Sequence, residues 1–211
     1  MNLAPAGRRI LTVTIAITAV GGLVAYWCRW CGVPLLVLGF LLTAFSAYFF
    51  RDPERDKVFG TNDIICPADG TVLSVGVEDD PGVVVVRIFL SVFNVHVQRA
   101  PLEGVVEKIE YEKGRFAVAY KPEAKKNERN LIRINGGNGR WAAVEQITGA
   151  IARRIACYVK EGRTVAGGER LGMIYFGSQV ALYLPKGVRV LVRPGDKVAG
   201  AENIIGLWKA E

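Results

Sequence analysis

Val159-Lys-Glu-Gly-Arg-Thr-Val-Ala-Gly-Gly-Glu169 returns near the C-terminus as Val192-Arg-Pro-Gly-Asp-Lys-Val-Ala-Gly-Ala-Glu202, both of the form V-x-x-G-x-x-V-x-G-x-E. A second pair is Pro67-Ala-Asp-Gly-Thr-Val72 and Pro101-Leu-Glu-Gly-Val-Val106, both P-x-x-G-x-V. The glycines stand where tight turns call for positive φ, and the valines where strands face a core. Repeats of this kind set the architecture. Around them, short β-branched runs alternate with glycine and proline: Thr71–Val77, Val83–Leu90, Val92–Val97, Val105–Tyr111, Asn130–Ile134, Trp141–Ile147, Ile155–Val159, Leu171–Phe176, Gln179–Leu184 and Val188–Val192. No long helical periodicity follows Asp63, so this part reads as all-β.

The paired patterns resemble the halves of biotinyl/lipoyl-type barrel-sandwich domains. The expected fold is therefore mainly β: a barrel-sandwich-like domain with pseudo-symmetric repeats over residues 58–211. An N-terminal apolar helical hairpin and linker, residues 1–57, precede it. Ile10–Trp27 and Val33–Phe50 carry no charge and are each near the shortest length that crosses a bilayer. Arg8 and Arg9 precede the first run, and Arg51, Arg55 and Lys57 follow the second. Positive charge at both outer ends places both on the cytoplasmic side of a membrane. The short turn allows a full span or a re-entrant loop. No small-residue cleavage site separates the two runs, which argues against a signal peptide. The net charge of +7 over 211 residues suits nucleic acid or an anionic membrane surface, and the apolar N-terminus favours the membrane. Two core helices of a soluble protein are the alternative, disfavoured by apolarity all round each helix.

Between Glu112 and Asn130 lies a charged stretch with Lys113, Arg115, Lys121, Lys125, Lys126 and Arg129, broken by Gly114 and Pro122. It reads as a solvated loop or as a basic lid facing lipid head groups or an anionic substrate. The four cysteines offer a single C-x-x-C, Cys28 and Cys31, and no second pair at metal spacing. They read as reduced and structural. No paired histidines, no D-x-D and no phosphate-cradling glycine loop occur, so neither a metal nor a nucleotide is expected.

Three positions are left for chemistry. Gly177-Ser178 is the sole Gly-Ser in the chain and interrupts the apolar run Leu171–Leu184. It reads either as a bend or β-bulge, or as a nucleophile beside its own peptide bond. His96 is the only histidine, and strand alternation would set Asn94, His96 and Gln98 on one face. It is either structural or the sole source of imidazole chemistry. Asp69, in the first P-x-x-G turn, caps that turn or orients a base.

Taken together, these segments resemble phosphatidylserine decarboxylases of the short, archaeal-type form. The carriers are Phe49-Phe-Arg-Asp-Pro-Glu-Arg55, Pro67-Ala-Asp-Gly70, Phe89-Leu-Ser-Val-Phe-Asn-Val-His-Val-Gln-Arg-Ala-Pro101, Asn127-Glu-Arg129 and Phe176-Gly-Ser178, in family order. Arg99 and Asn94 stand where the longer bacterial form has a second histidine and an aspartate. Phe176-Gly-Ser-Gln179 replaces its Leu-Gly-Ser-Thr.

The resemblance implies a self-processing carboxy-lyase of phospholipid biosynthesis, made as a zymogen. Ser178 would attack the Gly177 carbonyl, with His96 as base and Asp69 orienting it. Cleavage between 177 and 178 would give chains 1–177 and 178–211, which stay together as a heterodimer, and a covalent pyruvoyl group derived from Ser178. That group would form a Schiff base with phosphatidylserine and release phosphatidylethanolamine and CO2. The implied partner is a membrane phospholipid rather than nucleic acid, at the cytoplasmic face of the cell membrane. Two alternatives remain at this point. One is a non-catalytic membrane-fusion type adaptor, which also joins an apolar segment to barrel-sandwich repeats. The other is a decarboxylase for archaetidylserine.

Overall fold

The computed structural model describes residues 2–78, 80–117, 126–150 and 154–209. The chain divides into two compact units, Met1–Glu54 and Arg55–Glu211.

The first unit is a pair of helices, α1 (Arg8–Trp27) and α2 (Arg29–Phe49). Both are long and apolar enough to cross a membrane. Their seam is built of small residues. A Cβ on Gly32 would lie 2.0 Å from the Ala25 nitrogen, on Gly21 2.4 Å from that of Leu36, and on Gly39 2.7 Å from that of Thr18. Backbone therefore touches backbone, which is how helices associate where hydrophobic burial gives no drive. Thr18 and Thr43 join across the seam, hydroxyl to hydroxyl, at 3.2 Å. At the open end of the pair, β1 (Asn2–Leu3) pairs with β2 (Arg51–Asp52). Phe50 packs onto Gly7, where a Cβ would come within 2.3 Å of the ring. The Phe49-Phe-Arg-Asp52 motif thus closes the hairpin, with the Arg51 guanidinium 4.0 Å from the Tyr48 ring centroid.

The second unit is built of β3 (Asp63–Ile65), β4 (Gly70–Val77), β5 (Val83–Leu90), β6 (Val97–Arg99), β7 (Gly104–Glu112), β8 (Arg129–Gly137), β9 (Arg140–Ile147), β10 (Ile155–Cys157), β11 (Thr164–Val165), β12 (Arg170–Ile174), β13 (Ser178–Pro185), β14 (Arg189–Val190), β15 (Lys197–Val198) and β16 (Ile204–Leu207). Eight strands form one curled antiparallel sheet in the order β11-β7-β8-β9-β13-β5-β4-β15, and two three-stranded sheets, β10-β12-β6 and β14-β16-β3, complete the unit. The core gathers Val72, Ile88, Val106, Ile132, Leu171 and Leu182 among others, all almost wholly buried.

The sheet order reads the same from both ends, and the sequence repeats explain it. In one half Lys197 and Val198 pair with Thr71 and Gly70; in the other Thr164 and Val165 pair with Val105 and Gly104. Val72 donates to the Asp196 carbonyl at 2.9 Å, and Val106 to that of Arg163 at 2.9 Å. The halves cross where Arg99 N donates to the Pro67 carbonyl at 2.9 Å and Ile65 N to that of Pro101 at 2.8 Å. Gly162 and Gly195 have the expected positive φ, 80° and 96°. Gly70 and Gly104 do not. They are glycines because a Cβ would lie 2.2 Å from the Phe89 carbonyl oxygen and 2.3 Å from that of Asn135. The mainly β, pseudo-symmetric architecture therefore holds, with two different uses of glycine inside it.

Cysteine usage departs from expectation. Cys66 is buried, but Cys28, Cys31 and Cys157 are exposed, so only one thiol is a packing residue.

Candidate active site

Two connections meet at one corner of the β unit. Leu90, the last residue of β5, pairs with Ser178, the first of β13. Further along, the Ile174 amide donates to the His96 carbonyl at 3.2 Å. The segments 91–95 and 175–177 are thus pinned to one another at both ends, which brings His96 and the Gly177–Ser178 bond into the same corner.

The first segment is not the strand that its alternation suggests. Asn94 Oδ1 accepts from the Ser91 amide at 2.9 Å and from the Ser91 hydroxyl at 2.8 Å, while Asn94 N donates to the Ser91 carbonyl at 2.9 Å. These local bonds compete with sheet pairing and fold residues 91–94 into a turn. Only Val97–Arg99 remains as strand, so Asn94 and His96 do not share a strand face with Gln98.

The turn fixes the imidazole. His96 is fully buried, and its Nδ1 lies 3.0 Å from the Asn94 carbonyl oxygen. A carbonyl only accepts, so Nδ1 carries the hydrogen, and Nε2 of the neutral ring keeps its lone pair. Nε2 is the nitrogen able to take a proton, and it points into the interior.

The second segment is strained. Phe176 and Gly177 both have positive φ, 52° and 59°. Glycine tolerates this, but a phenylalanine there costs about 1–2 kcal/mol because its Cβ crowds the next carbonyl. Ser178 follows, fully buried, and its Oγ has no hydrogen-bond partner among the described residues. Leaving a buried hydroxyl unbonded costs about 1–3 kcal/mol. Two independent costs therefore flank Gly177. The bend reading holds, since the chain turns at Phe176 and Gly177 immediately before β13. Tyr175 is 8% exposed, and burial raises its phenol pKa, with Arg154 acting against the rise.

Asp69 lies at the same end of the sheet. Thr71 pairs with Phe89 on β5, and Ser178 pairs with Leu90 on the other side of that strand. Asp69 is therefore about two strand spacings, ~10 Å, from Ser178. Its carboxylate accepts from the Gly200 amide at 2.8 Å and pairs with Arg55 at 3.1 Å. Arg55 also reaches Glu202 at 3.2 Å, so the turn that carries Asp69 is tied to the second repeat.

A buried chain of amides, missed in the sequence, supports this corner. Asn130 Nδ2 donates to Gln146 Oε1 at 2.9 Å, Gln146 Nε2 to Gln98 Oε1 at 2.8 Å, and Gln98 Nε2 to the His96 carbonyl at 2.8 Å. All three side chains are at most 3% exposed. The available signal was polar residues interrupting apolar strand runs; Asn130 and Gln146 are direct cross-strand partners. Arg99 is also buried, and its guanidinium donates to the Gly168 carbonyl at 3.3 Å. The charged stretch divides. Lys113, Arg115 and Lys126 are exposed, while Arg129 pairs with Glu112 at 3.2 Å. Asn127 is a buried staple that donates to the Thr148 carbonyl at 2.7 Å. Lys121, Pro122 and Lys125 lie outside the described residues.

The family model described as Phosphatidylserine decarboxylase matches residues 42–206. Among curated relatives, a phosphatidylserine decarboxylase proenzyme of Burkholderia mallei (strain SAVP1) is 41% identical over 198 residues, covering 92% of this chain and 87% of the relative. One from Granulibacter bethesdensis is 42% identical, covering 95% of this chain and 83% of the relative. One from Burkholderia cenocepacia (strain HI2424) is 40% identical, covering 92% and 88%.

Proposed function

The chain belongs to the phosphatidylserine decarboxylase family, and from that premise we propose that it converts phosphatidylserine to phosphatidylethanolamine and CO2 with a pyruvoyl group made from its own Ser178. The observation that carries the reading is the unbonded, buried Ser178 hydroxyl directly after two left-handed residues. Such a hydroxyl fits the source of the group, since nothing among the described residues competes for it.

His96 Nε2 takes the Ser178 proton as Oγ attacks the Gly177 carbonyl carbon, and returns it to the departing amine nitrogen. The amide C–N bond is exchanged for an ester. Loss of the Ser178 Cα proton with rupture of Cβ–Oγ then frees residues 1–177 with a C-terminal carboxylate. The dehydroalanine left at position 178 takes up one water and releases ammonia, giving the ketone. Release of the Phe176 strain favours the forward direction. Asp69 steadies the corner from the neighbouring strand, through Arg55 and the 198–202 turn.

The pyruvoyl ketone supplies an electrophile for the substrate amine and a sink for the electrons that CO2 leaves behind. His96 is placed to deliver the proton that completes the product. The Tyr175–Phe176 pair, ring centroids 6.5 Å apart, shields the site from water. The cut chains stay together because β13, the first strand of the small chain, pairs with β5 on one side and β9 on the other. The helical hairpin anchors the enzyme, and Arg8, Arg9 and Arg51 at its open end put that end at the cytoplasmic face of the cell membrane.

Intact mass and a denaturing gel on active protein test this. Fragments 1–177 and 178–211 are expected, the smaller with a carbonyl in place of its amino terminus, and Ser178→Ala stays whole and inactive. An intact 23 kDa chain that still decarboxylates would sink the pyruvoyl reading.

A further inference from the structure

The two ends of the eight-stranded sheet differ in kind. One end carries Asp69, Leu90 and Ser178, and the connections that leave it also carry exposed aromatic and basic side chains. Phe93, at the tip of the bonded 91–94 turn, is 68% exposed, and Phe116 is 38% exposed. Lys113, Arg115, Lys126 and Arg154 at the same end are all exposed, and none pairs with a carboxylate among the described residues. The acids nearby are already engaged: Glu112 with Arg129, and Glu128 with Tyr111. The other end also holds cations and aromatic rings, with Lys57, Phe59, Arg140 and Trp208 lining a cavity beside Glu103, but there Arg140 is tied to Thr61 and Asn62, and Glu78, Asp80 and Glu103 add negative charge.

An exposed phenylalanine is ordinary by itself. This one is held out by three hydrogen bonds in its own turn, so its position is set rather than left loose. Val92, its neighbour, has its Cγ1 4.0 Å from the place a Cβ on Gly177 would occupy. The tip is therefore continuous with the reacting bond. An exposed aromatic side chain at the same sheet end as cations without a carboxylate partner among the described residues matches the interface of an anionic bilayer: aromatic rings enter the head-group layer, and Lys and Arg stay with the phosphates.

We propose that this end of the β unit is a lipid-docking surface, with Phe93 inserting into an anionic phospholipid bilayer and Lys113, Arg115, Lys126 and Arg154 contacting its head groups. It rests on the lipid-decarboxylase reading for the substrate that enters there. The consequence is that a phospholipid reaches Ser178 without leaving the membrane, beside a residue that parts the head groups.

The test uses the full chain in vesicles. Cys28, Cys31 and Cys157 are changed to serine; Cys66 stays, since burial pushes its thiol pKa up to about 12 and leaves it unreactive. Phe93→Cys and, at the opposite end, Asn138→Cys are each labelled with bimane. Quenching by nitroxide-bearing lipids is read in phosphatidylcholine with and without phosphatidylglycerol. Label at 93 is expected to be quenched several-fold more than label at 138. The gap should widen with phosphatidylglycerol, narrow at high salt, and shrink in a background carrying Arg115→Glu and Lys126→Glu. Equal quenching at both positions overturns the docking surface and leaves the patch to a protein partner. Self-cleavage and CO2 release are followed in the same vesicles. Their loss with the quenching gap intact strikes the proposed reaction alone, and equal quenching with activity retained strikes the surface alone.

Discussion

The two halves of the β unit share a frame, yet only one carries the proposed chemistry. Pro67–Val72 with Val192–Glu202, and Pro101–Val106 with Val159–Glu169, make the same turns and the same strand pairs. The Ala201 amide donates to the Cys66 carbonyl at 3.0 Å, and the equivalent Gly168 amide to that of Ala100 at 2.8 Å. The halves part at the third position of the P-x-x-G turn. Asp69 is held by Arg55 and the Gly200 amide, whereas Glu103 is exposed. Beside Glu103 opens a cavity of about 750 Å³ lined by Lys57, Asn135, Arg140 and Trp208 among others, and neither a serine nor the histidine is in its wall. Repetition thus accounts for the packing. The reactive corner arises where the 91–94 turn, His96 and the strained 175–177 segment are added to one half only.

The largest effect should come from the glycines the halves share. Gly70→Ala and Gly104→Ala each drive a methyl into a backbone carbonyl oxygen, at 2.2 Å and 2.3 Å. Each is expected to lose about 2–3 kcal/mol in denaturant unfolding. Only Gly70→Ala should also slow self-cleavage of the molecules that fold. Equal slowing by Gly104→Ala would mean that the halves are not separable.

Asp69→Ala and Glu103→Ala break the symmetry more selectively. The first leaves the Gly200 amide without its acceptor and Arg55 with Glu202 alone, at a cost of about 2 kcal/mol, and retards processing. The second should stay within about 0.5 kcal/mol of the parent. Similar melting shifts for the two variants would argue against a distinct role for Asp69.

Gln146→Leu interrupts the amide chain that ends on His96 and leaves Gln98 and Asn130 buried without it. A loss of about 1–3 kcal/mol is expected. The rate of chain cutting should fall as well, and Gln146→Glu should not restore it, because a carboxylate cannot donate to Gln98. Full-speed processing in Gln146→Leu would reduce the chain to packing.

The smallest effect belongs to Cys66→Ala, which copies Ala100 of the other half. Near neutral pH it should change stability little. Burial raises the Cys66 thiol from its ordinary 9.0 to about 12 in the folded state. The unfolded thiol ionises first, so this contribution is whole below about pH 9 and is lost as pH rises toward 12. Unfolding curves across that window should slope less for Cys66→Ala than for the parent, and parallel curves would remove the thiol from the alkaline transition.

Periodicity and glycine placement were enough for the β class, the repeats and the apolar helices, because these depend on local alternation and turn chemistry. The extended reading of Val92–Val97 failed for a local reason too: Ser91 and Asn94 bond each other in preference to a neighbouring strand. The amide chain was out of reach because it joins Gln98 to a β8–β9 hairpin pair, Asn130 and Gln146, that lies well beyond it in sequence.

The sequence by itself determined the mainly β frame, the family motifs in order, and the identity of the single Gly-Ser and the single histidine. The tertiary structure decided what surrounds them. Strand register set Leu90 against Ser178, the Asn94 carbonyl chose the His96 tautomer, and a left-handed Phe176 placed strain one residue ahead of the Gly177–Ser178 bond. Composition and spacing carry burial tendencies, but a hydroxyl without a partner among the described residues and a phenylalanine at positive φ exist only once distant strands close around them.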